Sequence, residues 1–190
     1  MNYSAINAKI NAMQSRSVSA SEAASRIGLY ISDRDLRDFV KRTAVANGSI
    51  GYYTAQWRAL AWLDKKNRQV IKPILGMEID LTNIIWMYRL KIYLGIKGDA
   101  TYGYLIPIRY RLTRATTQQM AECETSKALL EEVAKSPYAG TINFSARKIT
   151  PEQQLAEMIA RRYKSATKRY QNTLAPILAY LLSEIRSERH

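Results

Sequence analysis

Residues 78–95 read Glu-Ile-Asp-Leu-Thr-Asn-Ile-Ile-Trp-Met-Tyr-Arg-Leu-Lys-Ile-Tyr-Leu-Gly, and the fold turns on how this stretch is understood. Its apolar residues recur at helical spacing, Ile84, Tyr88 and Ile92 in one row with Ile85 and Met87 beside them. They cover well over half of the circumference, which predicts a helix enclosed by other helices. Asp80 is placed to act as N-cap with Asn83 at the third helical position, and Gly95 offers a left-handed stop. Arg89 and Lys91 lie inside the apolar run. A charge there must be paired or must reach water along its aliphatic stem, because stranding it in low dielectric costs several kcal/mol. Either both stems snorkel, or Arg89 is fixed by a carboxylate on another helix.

Upstream, 52–75 is helical in pattern, with Trp57, Leu60, Ala61 and Leu63 ahead of the basic run Lys65-Lys66-Asn67-Arg68, read as a solvated face. Pro73 and Gly76 are expected to separate this helix from the central one. Further back, Ile6, Ile10 and Met13 outline an amphipathic helix over 3–16. Ser19 or Ser21 can cap a helix running to about 30, and Ser32-Asp33 can start another that runs to about 46. Asn47-Gly48 then marks a helix terminus and not a hairpin, since its flanks do not alternate.

Downstream, the glycines 98 and 103 lead into Leu105-Ile-Pro-Ile-Arg-Tyr-Arg-Leu112, an extended loop packed on helices. Thr116-Thr117 should open a helix over 118–135 that breaks at 124–126. Thr150-Pro151-Glu152-Gln153 is a strong helix start, with threonine as cap, proline first and glutamine third. Along that helix Leu155, Met158, Ile159, Tyr163 and Ala166 form an apolar face, while Arg161, Arg162, Lys164, Lys168 and Arg169 crowd the other side. Pro176 starts or kinks a last helix over 177–188. These readings predict an all-α protein, a multi-helix bundle with little or no β, either one domain over 1–190 or two helical modules over 1–104 and 105–190.

Composition agrees: only eight glycines and five prolines punctuate 190 residues. The net charge of +13 favours an acidic protein surface, anionic headgroups or nucleic acid as partner. One cysteine, Cys123 between Glu122 and Glu124, allows neither an intramolecular disulfide nor a cysteine zinc cage, and its acidic neighbours should make the thiol less reactive. The single histidine, His190, leaves no ordered base for a serine or cysteine nucleophile and no multi-histidine metal site. Glycine-rich phosphate loops are missing too, so neither catalysis nor a cofactor or metal is expected. The N-terminus lacks the apolar run of a secretory signal and no stretch approaches ~18 uncharged residues, which predicts a cytoplasmic protein, peripheral to a membrane at most.

Read together, several segments resemble the C subunit of the prokaryotic V/A-type ATPases, the counterpart of the d subunit of eukaryotic V-ATPases. They are the opening Tyr3-Ser-Ala-Ile-Asn-Ala-Lys-Ile-Asn-Ala-Met-Gln-Ser-Arg16, Glu78-Ile-Asp-Leu-Thr-Asn-Ile84 with Arg89 and Lys91, Leu105-Ile-Pro107, Ser136-Pro-Tyr138, and Leu174-Ala-Pro-Ile-Leu-Ala-Tyr180 followed by Glu184-Ile-Arg186. No single segment is specific; their order and spacing carry the likeness. The resemblance implies a funnel of pseudo-repeated helical modules and a non-catalytic role. One face would sit on the cytoplasmic side of the membrane proteolipid ring, and the opening would grip the central-stalk shaft of the rotary motor, linking ATP turnover to proton or other ion transport. It also implies a structural polar network of Glu78, Asp80, Asn83, Arg89 and Lys91. The chain is shorter than is usual for the family, and the closing Glu-x-Arg-Asn pattern is here Glu184-Ile-Arg-Ser187, as in a shortened or divergent member. Arg161, Arg162, Lys164, Lys168 and Arg169 are the candidate partner-binding face. The alternative is a basic helical module for nucleic acid or protein, with Tyr163 and Tyr170 between the cations as stacking rings.

Overall fold

The computed structural model describes residues 19–31, 34–44, 50–96, 98–170 and 172–187; the 3–16 segment, Ser32-Asp33, Asn47-Gly48 and His190 lie outside them. Every regular element among the described residues is helical. The α-helices are α1 (Ala20–Gly28), α2 (Arg34–Ala44), α3 (Ile50–Ala59), α4 (Lys65–Arg89), α5 (Arg114–Glu122), α6 (Ser126–Ala134), α7 (Pro151–Arg169) and α8 (Ala175–Ser187). Short 3-10 segments occupy Leu60–Trp62 and Gly98–Tyr104.

The chain clusters into two compact units, Met1–Ile74 with Ile159–His190 and Leu75–Met158. In the first, α1, α2 and α8 pack on one another. Ala23, Ala24, Ile27, Phe39, Val40, Ile177, Leu178 and Leu181 are buried there. Ser19 caps α1, accepting from the Glu22 N–H at 3.1 Å. Asp64 caps α4 through the Asn67 N–H at 2.9 Å. Asn67, itself buried, then accepts the Leu174 N–H at 2.7 Å. Arg68 donates to the carbonyls of Leu60, Ala61 and Leu63, which end the preceding 3-10 turn. Only Lys65 and Lys66 of the 65–68 run behave as a plainly solvated face; Asn67 and Arg68 bind the chain together.

The larger correction concerns α4. Pro73 and Gly76 do not divide two helices: α4 runs for 25 residues straight through both, so Asp80 lies far inside it and is no N-cap. Proline removes the N–H that would meet the Gln69 carbonyl, but both residues are exposed and water can take that carbonyl. Gly76 is buried against Tyr110, whose ring carbon Cγ would stand 2.3 Å from any added Cβ. The expected enclosure holds from Ile79 to Met87, with Trp86 half-buried, and loosens at half-buried Tyr88 and exposed Arg89 before buried Leu90. The helix then widens into a π-turn, Leu90–Leu94, and Gly95 at φ 60 stops it as expected. Ile92, placed in the enclosed row by its spacing, is 44% exposed, because the wider turn carries it off that row. The 105–112 segment is a loop without regular structure. Thr113, not Thr116 or Thr117, caps α5, and Thr125 caps α6. At α7 the reading of Thr150 is met in full: it accepts the Gln153 N–H at 3.2 Å while Gln153 accepts the Thr150 N–H at 2.9 Å.

Candidate functional site

The buried stretch of α4 in the second unit, with the π-turn that continues it, holds an uncommon density of polar side chains: Asp80, Thr82, Asn83 and Lys91 are all buried. Buried polar groups are tolerated only when hydrogen-bonded, so their partners define what the stretch does.

Asp80 is fully buried and accepts four bonds. Its Oδ1 takes the Tyr110 N–H at 3.0 Å. Its Oδ2 takes the Arg111 N–H at 2.7 Å, the Leu112 N–H at 3.1 Å and the Tyr138 hydroxyl at 2.7 Å. Three successive amides pointing at one carboxylate form a nest, the backbone arrangement that best accepts an anion. Asn83, one helical step along, treats Ile106 as a peptide: its Nδ2 donates to the Ile106 carbonyl at 3.0 Å and its Oδ1 accepts the Ile106 N–H at 2.8 Å. Together the two side chains supply the 105–112 loop with the backbone partners a neighbouring strand would give, which lets an irregular segment pack on a helix with Leu105, Ile106 and Leu112 buried.

Tyr138 reaches Asp80 because a tight turn follows α6. Buried Ser136 donates to the Val133 carbonyl at 2.7 Å and accepts the Tyr138 N–H at 3.1 Å. Burial, and then the hydroxyl's bond to Asp80, push the Tyr138 phenol well above its ordinary range. Since the folded pKa is raised, the stability this phenol contributes is whole below pH ~10 and fades above it, where only the unfolded chain ionises. The stability gap between wild type and Tyr138→Phe should therefore be flat up to pH ~10 and narrow beyond it by up to about 1.4 kcal/mol per pH unit. Urea melts at neutral and alkaline pH check this; a gap that stays constant would mean the phenol is not held in its neutral form.

The remaining members of the central set reach other targets. Lys91 is buried and its Nζ donates to the Ala121 carbonyl at 2.8 Å, a cation on the last turn of α5 where helix carbonyls lack partners. Arg89 does meet a carboxylate on another helix: its Nε lies 2.6 Å from Glu152 Oε1 in the first turn of α7. Yet the Arg89 side chain is 51% exposed, so it also snorkels, and both expectations for it hold in part. Arg89→Met should move stability by no more than about 1 kcal/mol in a urea melt, the scale of a solvated pair. Glu78 stands half-buried on the same helix. Nearby, the rings of Tyr88 and Phe144 meet at 4.6 Å, and Gln154 holds Asn143 through both its amide atoms at 2.8 Å.

The cations Arg161, Arg162, Lys164, Lys168 and Arg169 are all exposed on α7 in the first unit. Tyr163 is buried, 4% exposed, and offers no stacking ring. Tyr170 is half-buried, with the Arg169 guanidinium 5.5 Å from its ring centre. Burial comes first among the causes that raise the Cys123 thiol, with Lys91 opposing and Glu132 adding to it. Among the described residues no group of three or more histidine, cysteine or acidic side chains is placed to hold a metal ion. No helix of these residues is long and apolar enough to cross a membrane.

Tyr138, Gly76 and Asn67 are the structural residues that sequence reasoning did not single out for their contacts. Tyr138 lies 58 positions from Asp80, beyond any local pattern. Over residues 49–185 the chain matches the family model described as ATP synthase (C/AC39) subunit. No curated protein and no solved structure matches it.

Proposed function

The chain belongs to the ATP synthase (C/AC39) subunit family, and from that membership we propose a non-catalytic subunit of a rotary V/A-type ATPase that couples the central rotor shaft to the membrane proteolipid ring. The family match over 49–185 carries this reading. The architecture supports it on physical grounds. A part that hands torque onward has to resist shear, and close-packed helices transmit strain where a loosely held loop would absorb it. Asp80 and Asn83 hold the 105–112 loop at five backbone atoms, Asp80 also takes the Tyr138 hydroxyl, and Lys91, just past α4, fastens that end to the end of α5. In this reading Glu78, Asp80, Asn83, Arg89 and Lys91 work as a structural polar network, and the exposed cations of α7 face the assembly or the membrane on its cytoplasmic side.

Isolation of the tagged protein from its own cells, followed by identification of the co-purifying chains, tests the assignment. Central-stalk and proteolipid-ring subunits are expected in comparable amounts. Recovery of ribosomal or nucleic-acid-associated proteins without any motor subunit would overturn it.

A further inference from the structure

From Met158 to Ser183 the sequence contains no aspartate or glutamate, while Arg161, Arg162, Lys164, Lys168 and Arg169 fall within one helical segment and are all exposed. At 100° per residue these five span an arc of about 160°, with Ser165 near its middle, the half-buried Glu157 on the same face one turn before Arg161, and the buried Tyr163 and Ile159 behind it. We propose that this stripe of α7 docks on the phosphate headgroups of an anionic lipid surface. The proposal rests on the membrane-side reading above and adds the chemistry of what the cations meet.

Three observations favour lipid over the other polyanions. The cations are not one row, as pairing with the fixed carboxylates of an acidic helix would need; they are long, pliant side chains spread across an arc, which suits a diffuse sheet of anions. Of the two rings a nucleic-acid strand could stack on, Tyr163 is buried, and Tyr170, just past the end of α7, is half-buried and already has the Arg169 guanidinium 5.5 Å from its ring centre. No large apolar side chain of α7 is among the exposed ones, so the contact is electrostatic and superficial, without insertion.

The test is sedimentation of the purified full chain with vesicles of phosphatidylcholine, alone or with about a third of phosphatidylglycerol. Binding is expected on the anionic vesicles only and should be lost as salt is raised. Each cation near such a surface raises partitioning about fivefold, so Arg162→Glu with Lys168→Glu should lower it more than tenfold. The same charge change at Lys65→Glu with Lys66→Glu, exposed on α4, should alter it less than twofold. Circular dichroism checks that both variants fold, and Arg162→Gln with Lys168→Gln should give an intermediate loss. Equal losses for the two reversed variants would reduce the effect to net charge and overturn the proposal. So would absence of binding to anionic vesicles at low salt, or binding to duplex DNA or polyglutamate but not to vesicles. Co-purification of the reversed variant with motor subunits is read separately, so failure of the lipid contact and failure of the motor assignment are distinguishable.

Discussion

Replacing Asp80 with alanine is expected to cost at least about 4 kcal/mol, placing it among the largest single-residue losses a domain of this size shows. The substitution strands four donors at once: the amides of Tyr110, Arg111 and Leu112 and the Tyr138 hydroxyl. The bonds from Leu112 and from the Tyr138 hydroxyl are buried, and each such donor left without an acceptor costs about 1–3 kcal/mol. The part-buried amides of Tyr110 and Arg111 lie nearer to water and cost less. Against this stands the dehydration that a buried carboxylate suffers, which alanine relieves. Four charge-assisted bonds outweigh it, because three come from a backbone nest already aimed at the carboxylate and need no further ordering to form. Asp80→Asn separates acceptor from charge: it keeps one oxygen but points an NH2 group at N–H donors, and should lose nearly as much as alanine. Hydrogen exchange locates the damage, with the amides of Tyr110, Arg111 and Leu112 losing protection ahead of those in α1 and α8. A urea melt placing Asp80→Ala within about 1 kcal/mol of wild type would mean that packing alone holds the loop.

The same residue shows where sequence reasoning reaches and where it stops. Asp80 and Asn83 stood out as polar positions in an apolar helix, yet the nearest local grammar for an aspartate followed by an asparagine is a cap, and a cap was expected. Their partners lie 23 to 58 positions away, and no window of helical periodicity contains such a pairing. Thr150 and Gln153 form the opposite case. A capping box closes within four residues, so its geometry is written in its spacing. The all-α class was legible for the same reason, since it sums many local preferences. The break expected at Pro73 and Gly76 failed because a breaker only biases a helix: Pro73 faces solvent, and Gly76 serves a neighbour in space, with no turn there.

That neighbour sets the second large effect. In an ordinary helix interior Gly→Ala is stabilising by roughly 0.5–1 kcal/mol, since glycine gives up more backbone freedom on folding. At Gly76 the sign should reverse, to a loss of about 2 kcal/mol, the scale of an overpacked core. An added Cβ would lie 2.3 Å from Tyr110 Cγ and 2.7 Å from its Cβ and Cδ2, all inside contact distance. Tyr110 has little room to retreat, because its own amide is bonded to Asp80, one helical turn along on the same face of α4. Glycine at 76 and aspartate at 80 thus act as a seat and a clasp for one loop residue. In a Tyr110→Gly background, which removes all three clashing atoms, Gly76→Ala should recover its ordinary stabilising sign. The double-mutant cycle read by urea denaturation would then give a coupling of about 2 kcal/mol or more between two residues far apart in sequence. If Gly76→Ala instead raises stability in the wild-type background, the loop is not seated on the helix at that point.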